Sequence, residues 1–319
     1  VKTMTRKLFS LLMSSFALIL LMGAGVEQEP AVLADEDGAE TVQAAAPQTA
    51  AEVQAAPVAA EAGESVLSLV ENLDYSLTVD GQPVSKNVAK TYRGETTYVA
   101  LAPMAQCLDP TILTKWDAGT QTMTVHNDKM VLTATVGQLY LTVNGRYLYA
   151  PEGIQMENGQ VIVPLSVLTE AFDASLTWDG ATKITAVTRG SGAAVAGEQY
   201  YNANDLFWLS RVIYTESGNQ PLEGMMAVGN VILNRVNHPS FPNTIEGVLA
   251  QKNQFTTYRS GRIANSTPNA QSVIAAKLVL DGGVVEETKN ALYFDSTPNS
   301  WAARNRTCIA VIGGHRFYA

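Results

Sequence analysis

Residues 204–236 read Asn204-Asp-Leu-Phe-Trp-Leu-Ser-Arg-Val-Ile-Tyr-Thr-Glu216-Ser-Gly-Asn-Gln220-Pro-Leu-Glu-Gly-Met-Met-Ala-Val-Gly-Asn-Val-Ile-Leu-Asn-Arg-Val236. The pattern predicts a helix, a tight corner and a second helix. Asn204 or Asp205 caps the first, and Leu209, Val212 and Ile213 fall on one face at helical spacing. Glu216 is next on that face, in the last turn before Gly218. A carboxyl placed there meets two effects that disfavour its charge, desolvation by apolar neighbours and the negative end of the helix dipole. A carboxyl held neutral can donate a proton to a leaving oxygen. The bland alternative for the same spacing is a frayed, solvated helix end. Pro221 suits the first position of the second helix. Leu222, Met225, Met226, Gly229, Ile232, Leu233 and Val236 form its stripe, with Gly229 admitting a close neighbour. Glu223 reads as a carboxylate at a helix N-terminus, and the Met pair as core.

Downstream, Thr244 caps a short helix ending near Leu249, and Gln254-Phe255 opens a polar, aromatic stretch with Tyr258. Thr267-Pro268 starts a further helix that points Ala270, Val273, Ile274 and Leu278 inward and stops at Gly282-Gly283. Ala291-Leu-Tyr-Phe reads as a short strand. A polar loop with Trp301, Arg304 and Arg306 follows. The apolar run Cys308–Ile312 then leads into Gly313-Gly-His-Arg-Phe-Tyr318.

Upstream, residues 66–190 contain an internal repeat. Leu77-Thr-Val-Asp-Gly81 recurs as Leu141-Thr-Val-Asn-Gly145, Tyr98-Val-Ala-Leu101 as Ile162-Val-Pro-Leu165, and Trp116-Asp117 as Trp178-Asp179. Each copy predicts a hairpin with an Asp-Gly or Asn-Gly turn, a short strand, a helical segment (Pro103 to Leu108, Ser166 to Phe172) and a final Thr-rich strand. Trp116 and Trp178 are candidates for ligand stacking, but their matched positions favour packing. Residues 191–200 read as a flexible joint.

The N-terminus carries Lys2, Arg6 and Lys7 and then an uncharged run from Leu8 to Val26, the form of a secretory signal or an uncleaved anchor. Residues 1–34 are assigned to it. Residues 35–65 are a spacer rich in Ala, Pro and Glu, without Lys or Arg. Nine acids and no Lys or Arg lie between Val26 and Ser65, so the acidic balance belongs to this stretch and not to the last domain, which has ten Lys and Arg against eight Asp and Glu. That small surplus does not argue for nucleic acid. His126, His238 and His315 are scattered and neither cysteine sits in a CxxC pair, so no metal site or cofactor is expected. Cys107 and Cys308 fall in different domains, which disfavours a disulfide.

Two resemblances sharpen these expectations. The Val-Asp-Gly, Tyr-Val-x-Leu and Trp-Asp elements of 66–190 resemble the stalk-type domain related to the N-terminal domain of copper amine oxidases. This implies a spacing or adhesion module that could meet a wall or accessory protein, without copper chemistry. From about 204 to 318, Ile-Tyr-Thr-Glu-Ser, the Pro221–Val236 run, Phe-Pro-Asn-Thr-Ile, Gln-Phe, Ala-Leu-Tyr-Phe and Ile-Gly-Gly-His-Arg-Phe-Tyr resemble, in order, the spore-cortex-lytic (SleB-type) cell wall hydrolases. That resemblance implies an α+β fold: a lysozyme-like, mainly helical catalytic domain over 201–319 with a small hairpin, behind a β-rich two-repeat stalk. It implies cleavage of peptidoglycan glycan strands, in the manner of lytic transglycosylases, by a secreted protein of the wall or spore. The family's catalytic glutamate falls on Glu216. Gln254, Phe255, Tyr293, His315 and Tyr318 are candidate substrate-binding residues, and no metal ligand is assigned. Where the family usually has Glu-Ala-Arg-Gly-Glu, this chain has Glu216-Ser-Gly-Asn-Gln220, so a second acid is missing. Two rival readings remain at this point: a Cys308–His315 peptidase or amidase, and a wall-binding protein whose hydrolase domain has decayed, which Gln220 would support.

Overall fold

The computed structural model describes residues 72–252 and 254–319. The expected leader, spacer and first residues of the stalk, 1–71, lie outside the described residues.

In the stalk, the first copy of the repeat runs β1 (Leu73–Val79), β2 (Gln82–Ser85), β3 (Lys90–Arg93), β4 (Thr96–Ala100), α1 (Leu101–Leu108), β5 (Leu113–Asp117) and β6 (Thr122–His126). After β7 (Val131–Thr135), the second copy runs β8 (Tyr140–Val143), β9 (Arg146–Tyr149), β10 (Gln155–Glu157), β11 (Gln160–Pro164), α2 (Leu165–Ala171), β12 (Ser175–Asp179) and β13 (Ile184–Thr188). The copies do not fold separately. The sheets β12-β13-β1-β2 and β5-β6-β7-β8-β9 each join the last hairpin of one copy to the first hairpin of the other. The third sheet, β10-β11-β4-β3, is centred on antiparallel β4 and β11, where Val99 faces its own repeat mate Val163. A pseudo-two-fold axis therefore passes through that pair. A lone hairpin is marginal in water, and the exchange gives both copies one core, with Leu77, Val99, Leu101, Met104, Leu132 and Leu141 fully buried. Asp80-Gly81 and Asn144-Gly145 hold φ of +49°/+78° and +48°/+80°, the left-handed pair that a tight hairpin turn requires.

The expected packing of Trp116 and Trp178 does not occur. They are 38% and 58% exposed, because β5 and β12 are edge strands exposed along their whole length. The Asp that follows each Trp does the structural work. Asp117 accepts the Gly119 N–H, and Asp179 accepts the Ala181 N–H, each at 2.8 Å.

The C-terminal region begins with the short α3 (Gly197–Tyr200). It continues as α4 (Ala203–Ser217), α5 (Leu222–Asn237), α6 (Ile245–Ala250), α7 (Thr256–Arg259), α8 (Ala270–Leu280), a 3-10 turn (Glu286–Thr288), β14 (Tyr293–Asp295), α9 (Trp301–Asn305), β15 (Cys308–Ile312) and β16 (His315–Tyr318). The three strands form an antiparallel sheet, β14-β16-β15. Two caps differ from expectation. Asn202, not Asn204 or Asp205, caps α4 by accepting the N–H groups of those two residues, and Asn269 caps α8 by accepting Ser272 N–H. Thr244 caps α6 as expected. Helix α5 is not a one-faced stripe. Every residue from Gly224 to Ile232 is buried, the condition of a central helix packed on all sides. Asn230 is satisfied there by donating to Gly283 O (2.9 Å) and accepting Val285 N–H (3.0 Å). At Gly229 a Cβ would stand 3.0 Å from Ile213 Cδ1 on α4 and 3.2 Å from Val279 Cγ2 on α8. This is the close approach that the stripe predicted.

Residues 191–200, read as a joint, are tied down. Ala194 is buried and donates to Ala171 O, and Gly197 donates to Asn144 O, both at 2.9 Å. The β8–β9 hairpin continues this attachment. Tyr140, Tyr147 and Tyr149 pack against the core of the helical region, and Arg146 forms a buried ion pair with Asp281 at the end of α8. Burial, reinforced by the charges of Glu223 and Glu287, pushes the Tyr149 phenol up to about 12.

Candidate active site

Helix α4 delivers Glu216 because Leu209, Val212 and Ile213, all fully buried, lock the same face against α5 and α8. The Glu216 carboxylate is half-buried, and its Oε1 accepts a hydrogen bond from Thr257 Oγ1 on α7 at 2.8 Å. The helix stops at Gly218 for a reason other than a left-handed turn. Its φ is −61°, but a Cβ there would lie 2.5 Å from Tyr214 O and 2.8 Å from the Tyr214 ring. Asn269 Nδ2 donates to Gly218 O at 3.1 Å and fixes the corner against α8.

Glu216 opens on a cleft of about 910 Å³ whose walls include Tyr214, Asn219, Arg262, Asn265, Ser266 and Asn269. Amides, hydroxyls and one guanidinium suit a neutral, hydroxyl- and amide-bearing ligand. Among the described residues lining it, Glu216 is the one carboxylate. Thr257 and this polar wall are absent from the residues expected as binding groups. Their one sequence signal was the polar stretch after Gln254, since a cleft wall is assembled from segments with no period of their own.

The expected binding residues lie elsewhere or play other parts. Phe255 and Tyr318 are 6% and 2% exposed, so they are core rings and offer no face to a sugar. Gln254 is exposed, but its Oε1 accepts from Arg235 Nη1 at 3.2 Å. Arg235 is itself buried, donates from Nε to Leu292 O at 2.7 Å and lies 5.2 to 5.6 Å from the Phe241, Tyr293 and Phe255 ring centres. Burial pushes its guanidinium down to about 10, against the influence of Tyr293. With Asn234 donating to Ala291 O at 2.9 Å, the Asn-Arg pair of the motif is a tie between α5 and the sheet. Tyr293 is half-buried beside Trp301 and Arg306 and is the one ring of the expected set with accessible surface.

His315 is buried between Phe294 and Phe317, at ring-centre distances of 5.7 and 6.5 Å. Burial pushes it below the ordinary histidine value, and the opposing charges of Glu216 and Asp295 do not overcome this. Its Nδ1 has no partner among the described residues. The unfolded chain therefore takes up this proton more readily than the folded one. Stability from this site is intact above the unfolded value of about 6.5 and is lost as pH falls through it towards the folded value. Melting curves at pH about 7.5 and about 5.5 are expected to show a drop in Tm on acidification that is smaller in His315→Gln. Equal drops in the two proteins would remove His315 as the cause.

Gln220 has a structural use. Its Oε1 accepts the Gly314 N–H at 2.6 Å, holding the turn between β15 and β16 that carries His315. A glutamate could accept the same bond, so Gln220 does not by itself mark decay. The Cys–His alternative fails on register. Cys308 faces Tyr318 and its thiol points at Ala310 O, whereas His315 faces Ile312. Both cysteines are free. Among the described residues no three His, Cys, Asp or Glu side chains group as a metal site.

Residues 219–318 match the family model for the Cell Wall Hydrolase domain, and residues 78–187 match that of the Copper amine oxidase N-terminal domain. The chain thus carries a cell wall hydrolase domain behind a domain of the second kind. A spore cortex-lytic enzyme of Bacillus cereus is 40% identical over 121 residues, covering 37% of this chain and 45% of that protein. One from Oceanobacillus iheyensis is 34% identical over 131 residues, covering 40% and 46%. The chain therefore spans about half the length of these relatives. The solved catalytic domain of the germination-specific lytic transglycosylase SleB from Bacillus anthracis is 37% identical, over 37% of this chain and 97% of that one, with a TM-score of 0.34.

Proposed function

We propose that this chain is an exported, peptidoglycan-degrading lytic transglycosylase that cuts the β-1,4 bond between N-acetylmuramic acid and N-acetylglucosamine, with Glu216 as its acid and base. The observation that carries this reading is the solitary carboxylate in an open polar cleft. The family match begins at Asn219, just past Glu216, so the role of Glu216 rests on its geometry and on the Ile-Tyr-Thr-Glu-Ser motif. Most glycosidases place a second carboxylate across the scissile bond as nucleophile or base. With one, the substrate itself supplies the nucleophile. Glu216 gives its proton to the bridging oxygen as the C1–O bond breaks. The muramic acid 6-hydroxyl then bonds to C1, and the ionised Glu216 takes the hydroxyl proton. The products are a 1,6-anhydromuramic end and a free N-acetylglucosamine hydroxyl, no water is consumed, and Glu216 returns protonated. Thr257, hydrogen-bonded to Oε1, fixes the carboxyl plane for both transfers.

The names of the relatives favour spore cortex as the wall type, and the N-terminal pattern favours secretion, with residues 1–34 as leader, 35–65 as spacer, 66–190 as stalk and 201–319 as catalytic domain. Digestion of purified cortex and vegetative sacculi, with mass analysis of the released muropeptides, tests the reaction. Anhydro ends are expected. Reducing ends alone would mean that water attacks and that the enzyme is a hydrolase.

A further inference from the structure

The stalk holds a groove of about 510 Å³ between the β3–β4 hairpin, the start of α2 and the β12–β13 hairpin. Tyr92 and Trp178 line it and are 63% and 58% exposed. Alternation along β12 puts Leu176 on the same side as Trp178, and Thr185 stands across the ladder from Trp178. Thr97 stands across from Tyr92. Tyr92, Leu176 and Trp178 are exposed together in one groove, a grouped apolar surface of the kind that marks a binding groove, and threonine hydroxyls stand among them.

The internal repeat supplies a comparison within the same chain. At the pseudo-symmetric positions Trp178 corresponds to Trp116, but Tyr92 corresponds to Met156, Thr97 to Val161 and Thr185 to Met123. The paired rings and the hydroxyls therefore occur in one half only. Core formation accounts for Val161, which is buried in the stalk core, and for Met123, which packs against it, but not for the Tyr92 ring, which lies outside that core and whose counterpart Met156 is likewise exposed.

The chemistry of the lining selects the occupant. No lysine or arginine lines the groove, and its one charge is Glu95. Lys90 approaches the Tyr92 ring at 6.0 Å, but its ammonium is held by Asp74 at 2.8 Å. An anionic polymer such as a nucleic acid or a teichoic acid would meet only a carboxylate. Rings for the apolar faces of pyranoses, with hydroxyls and a carboxylate for their O–H and acetamido N–H groups, fit an uncharged polysaccharide. The volume is that of a small-ligand site, enough for a short stretch of such a chain.

We infer that this groove is a second glycan-binding site, separate from the cleft at Glu216, in which Tyr92 and Trp178 stack on neutral β-linked N-acetylhexosamine units. That the polysaccharide is the peptidoglycan strand rests on the function proposed above. A wall enzyme with two linked sites gains avidity on an insoluble polymer.

The test uses the full chain carrying Glu216→Gln, so that bound wall is not consumed, and measures its partition onto purified sacculi stripped of teichoic acid. Trp178→Ala and, separately, Tyr92→Ser are each expected to weaken binding about tenfold, the loss of about 1.4 kcal/mol. Trp116→Ala, which removes an exposed tryptophan from the other half, is expected to leave binding unchanged. Soluble N-acetylglucosamine oligomers should compete, and teichoic acid should not. Circular dichroism checks that each variant is folded, and two independent substitutions guard against one that is not. Unchanged binding in folded Trp178→Ala and Tyr92→Ser, an equal loss in Trp116→Ala, or competition by teichoic acid alone would overturn the inference. Muropeptide release by the unsubstituted chain is scored separately. Tryptophan-dependent binding without release would sink the catalytic proposal only, and release with binding indifferent to Tyr92 and Trp178 would sink this one only.

Discussion

Glu216→Gln is expected to lower muropeptide release from sacculi by about a thousandfold, within the range that a positioned general acid and base supplies, while leaving the folded protein intact. The substitution isolates the proton. A glutamine keeps the side-chain length and an Oε1 that can accept from Thr257 Oγ1, now at 2.8 Å, so the link between α4 and α7 survives. Stability should change by less than about 0.5 kcal/mol, as for a half-exposed position whose contacts are retained. Gln220→Glu provides the contrast. It restores an acid where the resembling family usually has one, but the side chain at this position holds Gly314 N–H. Release should therefore stay within about threefold of the parent, a barrier change below about 1 kcal/mol. Rates of release by Glu216→Gln and Gln220→Glu, measured on the same sacculi beside melting curves, decide the matter. A Glu216→Gln protein that still releases fragments at a tenth of the parental rate or more would mean that another group is the acid. A large gain in Gln220→Glu would mean that the parent lacks a catalytic carboxylate.

Much of the helical region was legible because its information is local. The stripe Leu209, Val212, Ile213, Glu216 needs only the helical period, and it put the carboxyl where the structure has it. Thr244 was legible as a cap because it stands directly before an apolar run. Asn202 was not, because Asn204 and Asp205 are equally good capping types, and the choice depends on which residue leaves the helix first. The central burial of α5 was hidden for a different reason. Asn230 and Arg235 look like surface residues until their partners are known, and those partners are backbone groups 53 to 57 positions away. The same distance in sequence concealed Thr257, which meets Glu216 across 41 positions. It also hid the partner of Gln254, whose acceptor is engaged by Arg235. In the stalk the repeat was visible but the exchange of hairpins between copies was not, since strand pairing across copies leaves no trace in either copy's alternation. The tryptophans follow from this. Matched positions imply a shared role, but whether β5 and β12 lie inside a sheet or at its edge is decided by the exchange.

Replacing Arg146 by Ala is expected to cost about 3–5 kcal/mol, the penalty for stranding one member of a buried ion pair. Arg146 on β9 reaches across to the end of α8. Its Nε donates to Asp281 Oδ2 at 2.9 Å and its Nη2 to Asp281 Oδ1, a two-bond fork of the kind that makes arginine–carboxylate pairs specific in direction. Nη2 also reaches Glu170 at 2.8 Å, and the Tyr200 ring covers the guanidinium at 3.8 Å. Tyr201 O–H donates to Asp281 Oδ2 at 3.1 Å and accepts Tyr147 N–H at 2.9 Å. The Asp281 side chain is 2% exposed, so without Arg146 its charge keeps only the Tyr201 hydroxyl. Glu170, 47% exposed, can turn to water and adds little. The double variant Arg146→Leu/Asp281→Leu separates a buried charge from a lost contact. Replacing both members with apolar groups is often neutral or stabilising, so the double variant should recover most of what Arg146→Ala loses. Urea unfolding followed by tryptophan fluorescence reads both regions, since Trp116 and Trp178 report the stalk and Trp208 and Trp301 the hydrolase domain. In Arg146→Ala the two sets should separate into distinct transitions, because the clamp is a buried, two-bond polar link between β9 and the end of α8. In the double variant, where Tyr147 and Tyr149 still pack on the helical core, they should coincide again. A single variant that loses less than about 1 kcal/mol would mean that apolar packing of the β8–β9 hairpin alone joins stalk to hydrolase domain, and a double variant that loses as much as the single would mean that the lost contacts, not a stranded Asp281 charge, carry the cost.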